Sequence, residues 1–318
     1  MMSKIMVAPP LGFSLHAIHD RWNLLYNALN EKFGFMQHET EIVDIEGHKD
    51  LRITPLSNNV DTIFVWTPPR FINTHAFLNS INKRVKLISY IIDLHSYERG
   101  KQFKALLERS DLILSMANAK FKEDWPQFID KFVFWPAFFS PDKRFVEFTF
   151  NENPIMKCLA SGSTTPAHAY PLRQIILQEA KGKAGGMIDV LPFPGTYGAK
   201  KEGAITRDAF AKLLHSYFCG ITTTTAYDCV IPKTVEILAV GSLLLMNRVE
   251  DLDTMGLIPN KHYVPINQKN IGEQVAECLA TPEKFKEIRL NGMKAARTHH
   301  GLDNRIKQLG SILEKLME

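Results

Sequence analysis

Residues 221–247 read ITTTTAYDCVIPKTVEILAVGSLLLMN, which parses as a strand, a loop, a short helix and a second strand. Pro232 sits where a first helical turn tolerates proline, and Gly241 where a helix stop takes glycine. Ile231 has no side-chain oxygen to offer the N–H groups of Lys233, Thr234 and Val235. A phosphate would satisfy them, drawn by the helix dipole and by Lys233; water is the alternative. Glu236 is a lone carboxylate in an otherwise apolar helix. One turn on from a bound pyrophosphate it is placed to accept both hydroxyls of a ribose, unless it merely pairs with Lys233 on the surface. Asp228 lies eight positions earlier, in the loop.

Outward from this stretch, short apolar runs alternate with amphipathic ones, the pattern of an α/β protein with parallel sheets. In the first half, strands are expected at Ile5–Ala8, Thr62–Trp66, Lys86–Ile92, Asp111–Ser115 and Phe132–Pro136. Helices are expected over 20–32 (Trp22, Leu25, Leu29 and Phe33 on one face) and over 98–109. A turn at 140–144 leads to a second half with strands at Ile155–Ala160, Met187–Leu191, Cys219–Thr224 and Leu243–Met246. Helices there fall at Pro171–Ala180, Thr206–Tyr217 and Pro232–Val240, and the tail from Pro282 is helical. The glycines of 182–186 follow a helix, the wrong order for a phosphate loop. The reading is two Rossmann-like domains, 1–150 and 151–318, facing a central cleft, and ligands of open α/β sheets bind in such crevices. The first strand is not followed by GxGxxG, which argues against a dinucleotide-binding dehydrogenase.

Composition narrows the class. The chain has 318 residues, 45% hydrophobic and 23% charged, which excludes disorder and coiled coil. Thirty-eight Lys and Arg against 34 Asp and Glu give a net charge of +4, too little to argue for nucleic acid. Cys158, Cys219, Cys229 and Cys278 are scattered, without a CxxC pair, and read as reduced thiols in a cytoplasmic protein. The apolar run near the start is stopped by Pro9 and Pro10, so no export signal is expected. No apolar run approaches the roughly 20 residues that span a bilayer.

Asp228 and Glu236, followed by Ile237-Leu238-Ala239-Val240-Gly241, resemble the acidic pair and "E-A-x-x-x-G" helix of group-1 glycosyltransferases of the GT-B fold. Further matches follow in order. Asp111–Ser115 with 132–145 resembles the last strand and linker of the N-terminal domain. Leu159–Ser163 with Tyr170-Pro171-Leu172-Arg173 resembles the opening strand and "YPLR" helix start of the second. Met255-Gly256-Leu257 with His262-Tyr263-Val264-Pro265 is similar to the "G-L…Y-V" loop, and 300–305 to the terminal "H-T-x-x-x-R" helix. The variant looks closest to the CgeB-like, spore maturation protein type, branch, over roughly residues 110–318.

The resemblance implies a nucleotide-sugar donor bound by the second domain and an acceptor (glycan, lipid-linked or protein) bound by the first. It implies a terminal helix that crosses back to the first domain, no metal or other cofactor, and retention more than inversion of configuration. Carried over, Glu236 would hold the ribose and Asp228 the donor sugar. Gly162, Ser163 and Thr164, with Arg173, Lys233 and Thr234, would meet the diphosphate, and Thr225 is within reach. Asp228 stands where group-1 enzymes commonly carry glutamate, which bears on the sugar contact and on retention. Asp251-Leu252-Asp253 spells a metal-binding DxD, but a polar loop or helix start is the simpler reading.

In the first half, Gly12, Ser14, His16, His19 and Asp20 follow one strand, and Asp93 and His95 another. His16, Asp93 and His95 are the candidates to position or deprotonate an acceptor hydroxyl. Trp66 reads as core, with sugar stacking as its alternative. Lys284, Lys286, Arg289, Lys294, Arg297 and Arg305 read as a solvated helix face, with peripheral contact to anionic lipid or to a negatively charged glycan as the alternative. A nucleotide-sugar epimerase and a non-catalytic sugar-nucleotide or glycan binder are the rival functions.

Overall fold

The computed structural model describes residues 3–7, 21–38, 40–45, 48–53, 59–67, 74–91, 104–136, 141, 143–165, 167–191, 205, 207–226 and 228–317. They form two compact units. One contains the described residues up to Pro136 and those from Arg305 onward; the other runs from Pro141 to Asn304.

The first unit carries a parallel sheet of β1 (Ser3–Val7), β2 (Phe35–Gln37), β5 (Val60–Thr67), β6 (Lys86–Ile91), β7 (Leu112–Ser115) and β8 (Phe132–Phe134), in the order β2-β1-β5-β6-β7-β8. β3 (Thr40–Ile45) and β4 (His48–Ile53) form a separate antiparallel hairpin. The helix Arg21–Phe33 returns the chain from β1 to β2 and buries Leu25 and Leu29, as its spacing predicts. Phe35, Phe64, Tyr90 and Trp135 fill the centre, with neighbouring ring centroids 5.0–6.3 Å apart. Edge-on contacts of this kind add to the burial of each ring. The Trp135 indole donates to the Arg305 carbonyl at 2.8 Å, and Leu309 is fully buried. Phe33 lies opposite Gly310. The end of the terminal helix Leu302–Met317 therefore belongs to the first unit, as the sequence suggests.

The second unit is built on β9 (Ile155–Ser161), β10 (Ile188–Leu191), β11 (Tyr217–Ile221), β12 (Leu243–Met246) and β13 (Val264–Pro265), all parallel, in the order β10-β9-β11-β12-β13. β11 and β12 are buried throughout, as expected of strands with both faces covered. Gly220 lets the helix Pro232–Ala239 lie close on the sheet, since a Cβ there would meet Ile237 at 2.9 Å. Gly241 closes that helix with φ +81°, the left-handed stop its position predicts. All four cysteines are buried and none forms a disulfide. Among the described residues no helix is long and apolar enough to cross a membrane.

Four expectations need correction. The division falls between Pro136 and Pro141, ahead of 150, because the helical turn Lys143–Val146 packs on the helices Arg207–Ser216 and Pro232–Ala239 of the second unit. Lys143 and Arg144, expected in a connecting turn, are the first two residues of this helical turn. The strand expected to reach Thr224 ends at Ile221, since Thr224 N–H turns to the Asn247 side chain instead of a neighbouring strand. The basic tail is not one solvated face. Lys284, Lys286 and Lys294 are exposed, but Arg289 is 5% exposed and Arg297 only partly exposed. Arg289 donates to the carbonyls of Gly241 and Asn151, and Arg297 to those of Ala239 and Phe148. Two guanidinium forks thus cap the carbonyl end of the Pro232–Ala239 helix, where its dipole is negative. Residues 98–103 of the expected helix lie outside the described residues; Lys104–Arg109 is helical.

Candidate functional site

Counted along the chain, the second sheet has strand order 2-1-3-4-5, which reverses direction between β9 and β11. At such a switch point the loops leaving two adjacent strands diverge and open a crevice at their carboxyl ends. The loops here begin at Gly162 and at Thr222.

Gly162 has φ +124°, a region in which side chains are strained. A Cβ at this position would lie 3.0 Å from Arg173 Nη1 and 3.2 Å from Lys233 Nζ. Two cations from two helices thus converge on one backbone that has no side chain to screen it. Arg173, in the first turn of the helix Pro171–Lys181, is 7% exposed. Its Nη1 donates to the Ser163 carbonyl at 2.7 Å, and its guanidinium lies 4.3 Å from the centre of the Tyr170 ring. Burial pulls its pKa down to about 10, the neighbouring Tyr170 acting in the opposite direction, so it stays charged at neutral pH. Among the described residues no carboxylate forms an ion pair with it. Gln174 secures the same loop by donating to the Thr164 carbonyl at 2.6 Å, and the Ser163 hydroxyl donates to the Thr165 carbonyl.

Beside these cations lies a shallow hollow that is open to solvent. Arg173 and the 160–164 segment form one wall, and Ile176, Leu177, Val190, Leu191 and Ile221 the rest. Val190 is 43% exposed although apolar. An apolar hollow beside a cationic loop suits a flat ring attached to a phosphate chain.

On the β11 side, Thr222, Thr223, Thr224 and Thr225 are all buried. Asn247, just beyond β12, accepts from Thr224 N–H and donates to its hydroxyl, both at 3.0 Å. Ala226 N–H donates to the Ala169 carbonyl at 3.0 Å, tying this loop to the turn that carries Tyr170. Asp228 is exposed and left-handed, φ 54°. Such a conformation costs a non-glycine residue energy and persists where surroundings enforce it.

The helix Pro232–Ala239 starts as the sequence predicts, with Ile231 extended and no side-chain cap. Thr234 is committed elsewhere: its N–H donates to the Ile231 carbonyl, its hydroxyl approaches Met246 Sδ at 3.2 Å, and it is fully buried. Glu236 is 1% exposed, which rules out the surface ion pair. Asp251 and Asp253 lie in the helical turn Glu250–Thr254, Asp251 buried and Asp253 paired with Arg248 at 3.1 Å. Among the described residues no three metal-ligating side chains gather at one point.

Residues 173–311 match the family described as "Glycosyl transferase-like". Over these residues the chain is similar to a glycosyltransferase domain. Its fold is that of the GT-B glycosyltransferases. Over 100% of this chain and 99% of the other, it superposes on sucrose-phosphate synthase from Thermosynechococcus elongatus with TM-score 0.67 and 11% identity. An alpha-glucosyltransferase in complex with UDP-glucose and DNA containing an abasic site gives 0.61 at 11% identity, over 100% and 99%. Anabaena Alr3699/HepE in complex with UDP and glucose gives 0.59 at 9%, over 99% and 100%. No curated protein matches the chain significantly.

Within the second unit the structure brings Gly162, Arg173 and Lys233 together. Ser163 and Thr164 lie in the same loop, and Thr225 in the loop that hydrogen bonds to the Ala167–Ala169 turn. His16, Asp93 and His95 lie outside the described residues. Tyr170, Gln174 and Asn247, which shape the two loops, were not singled out as site residues in the sequence. Their signal is modest: an aromatic before Pro171, and an asparagine just past a strand.

Proposed function

We propose that this protein transfers a sugar from a nucleoside diphosphate donor, held by the second unit, to a hydroxyl acceptor. The observation that carries the reading is the convergence of Arg173 and Lys233 on the bare backbone of Gly162. Fixed cations at this point neutralise the charge that develops on the diphosphate as the bond to the sugar C1 breaks and the acceptor oxygen bonds to C1. The acceptor hydroxyl proton must leave in the same reaction, and His16, Asp93 and His95 are the candidates to receive it. The apolar hollow beside Arg173 would take the nucleobase, Glu236 the ribose and Asp228 the sugar. UDP in the complexes of the similar structures supports a uridine donor. The protein would act in the cytoplasm, on a glycan, lipid-linked or protein acceptor, without a metal, with retained configuration, and within the CgeB-like branch.

The test is a titration with nucleoside diphosphates and their sugars, followed by thermal unfolding, with and without divalent cations. A ligand at about 100 times its dissociation constant adds roughly 2.7 kcal/mol of stability. Stabilisation by one nucleotide, independent of divalent cation and lost in Lys233→Ala, is the expected result; its absence for every nucleotide sinks the proposal. Anomeric analysis of the product by NMR then decides retention.

A further inference from the structure

Arg173 poses a problem of its own. A guanidinium that is 7% exposed and has no carboxylate partner among the described residues is costly to bury, because its hydration is lost without an equal charge in return. Among the described residues its Nε has no hydrogen-bond partner, and the polar contacts of the group are the Ser163 carbonyl at 2.7 Å and the Tyr170 ring at 4.3 Å. The carbonyl holds one nitrogen. The ring covers a face, and an electron-rich face attracts a guanidinium more strongly when water is excluded.

Tyr170 is itself fixed from several sides. Its N–H donates to the Ala167 carbonyl at 3.1 Å, and its carbonyl accepts from Gln174 N–H at 3.3 Å. The same turn accepts the Ala226 N–H from the threonine loop. Lys233 comes about as close to the Gly162 Cβ position as Arg173 does, and two like charges so near one point repel. A group must hold Arg173 in place until an anion arrives.

We infer that Tyr170 is a positioning residue: its ring retains the Arg173 guanidinium at Gly162 in the empty site, so that a diphosphate meets both cations already in place. The ring supplies this by its face, and its hydroxyl is dispensable. This inference rests on the donor reading above, since the anion it prepares for is the diphosphate. Preorganisation of this kind lowers the cost of ordering a long side chain on binding.

The experiment measures UDP and uridine binding by calorimetry to the full chain and to Tyr170→Leu, Tyr170→Phe, Arg173→Gln and the Tyr170→Leu/Arg173→Gln double variant. Tyr170→Leu should weaken UDP about tenfold and leave uridine within twofold, because only the phosphates need the cation. Tyr170→Phe should bind UDP like the parent. In the Arg173→Gln background, Tyr170→Leu should have no further effect, which a merely structural role of the ring would not produce. Unchanged UDP affinity in Tyr170→Leu, equal weakening of UDP and uridine, or additive losses in the double variant would each overturn the inference while leaving the donor reading intact. Failure of the parent chain to bind any nucleoside diphosphate would instead remove both.

Discussion

The two sheets share one strand order up to the fifth strand, 2-1-3-4-5, yet they use charge differently. In the second unit, cations gather where β9 and β11 diverge, around Gly162. In the first, charges at the amino ends of β6, β7 and β8 serve the backbone. Arg109 donates to the Val85 carbonyl at 2.7 Å and pairs with Asp111, whose carboxylate accepts from Leu87 N–H. Lys131 donates to the carbonyls of Glu108 and Ser110 at the end of a helix. A shared topology therefore fixes where a crevice opens but not what is put in it. The first unit invests its large side chains in an aromatic centre, the second in a loop stripped of a side chain.

Three variants test that contrast. Trp135→Ala should have the largest effect, removing a fully buried indole and its bond to Arg305. About 3–5 kcal/mol of stability should be lost, with UDP affinity within twofold of the parent below the unfolding transition. A collapse of UDP binding in the folded variant would erase the distinction between the units. Gly162→Val should do the reverse. Its Cβ would meet Arg173 and Lys233 in a backbone region that valine resists, so UDP affinity should fall at least 100-fold, about 2.7 kcal/mol. The strain should cost about 1–3 kcal/mol of stability.

The smallest effect concerns a surface cluster of the second unit. Partial burial would raise the Asp189 pKa, but the Tyr217 hydroxyl at 2.8 Å and Lys157 at 3.0 Å outweigh it and hold the carboxyl below its usual value. Tyr217 is pushed up to about 12, by burial first and then by Asp189. A lowered carboxyl pKa stabilises the fold above the unfolded-state value of about 3.9, and this is lost as pH falls through the folded value. Asp189→Asn should therefore lower the unfolding temperature at pH 7 and match the parent near pH 2–3. With the carboxylate 37% exposed, solvent screening keeps the difference below about 1 kcal/mol. Urea unfolding at both pH values checks it.

Most of the second unit could be read from the sequence, because fully buried parallel strands appear as uninterrupted apolar runs such as Leu243–Met246. The β3–β4 hairpin could not, since charges at Glu41, Asp44, Lys49, Asp50 and Arg52 break any two-residue alternation. The tail arginines show a related limit. A long apolar stem with a five-donor fork can reach inward to carbonyls as readily as outward to water, and nothing in its local sequence says which. For the site, residue types and order suggested the chemistry. The meeting of Arg173 and Lys233, sixty positions apart, was implied by the family resemblance, but no spacing or periodicity in the sequence shows it.

Trp135 and Arg305 touch across 170 positions of sequence. During synthesis the second unit is complete once Asn304 has emerged, whereas the first still lacks Ile306 and Leu309 of its core. Domains commonly mature on the ribosome in chain order. Here that order is inverted: the unit begun first is completed after the second, and until residues 305–317 have emerged its Trp135 lacks the carbonyl it holds.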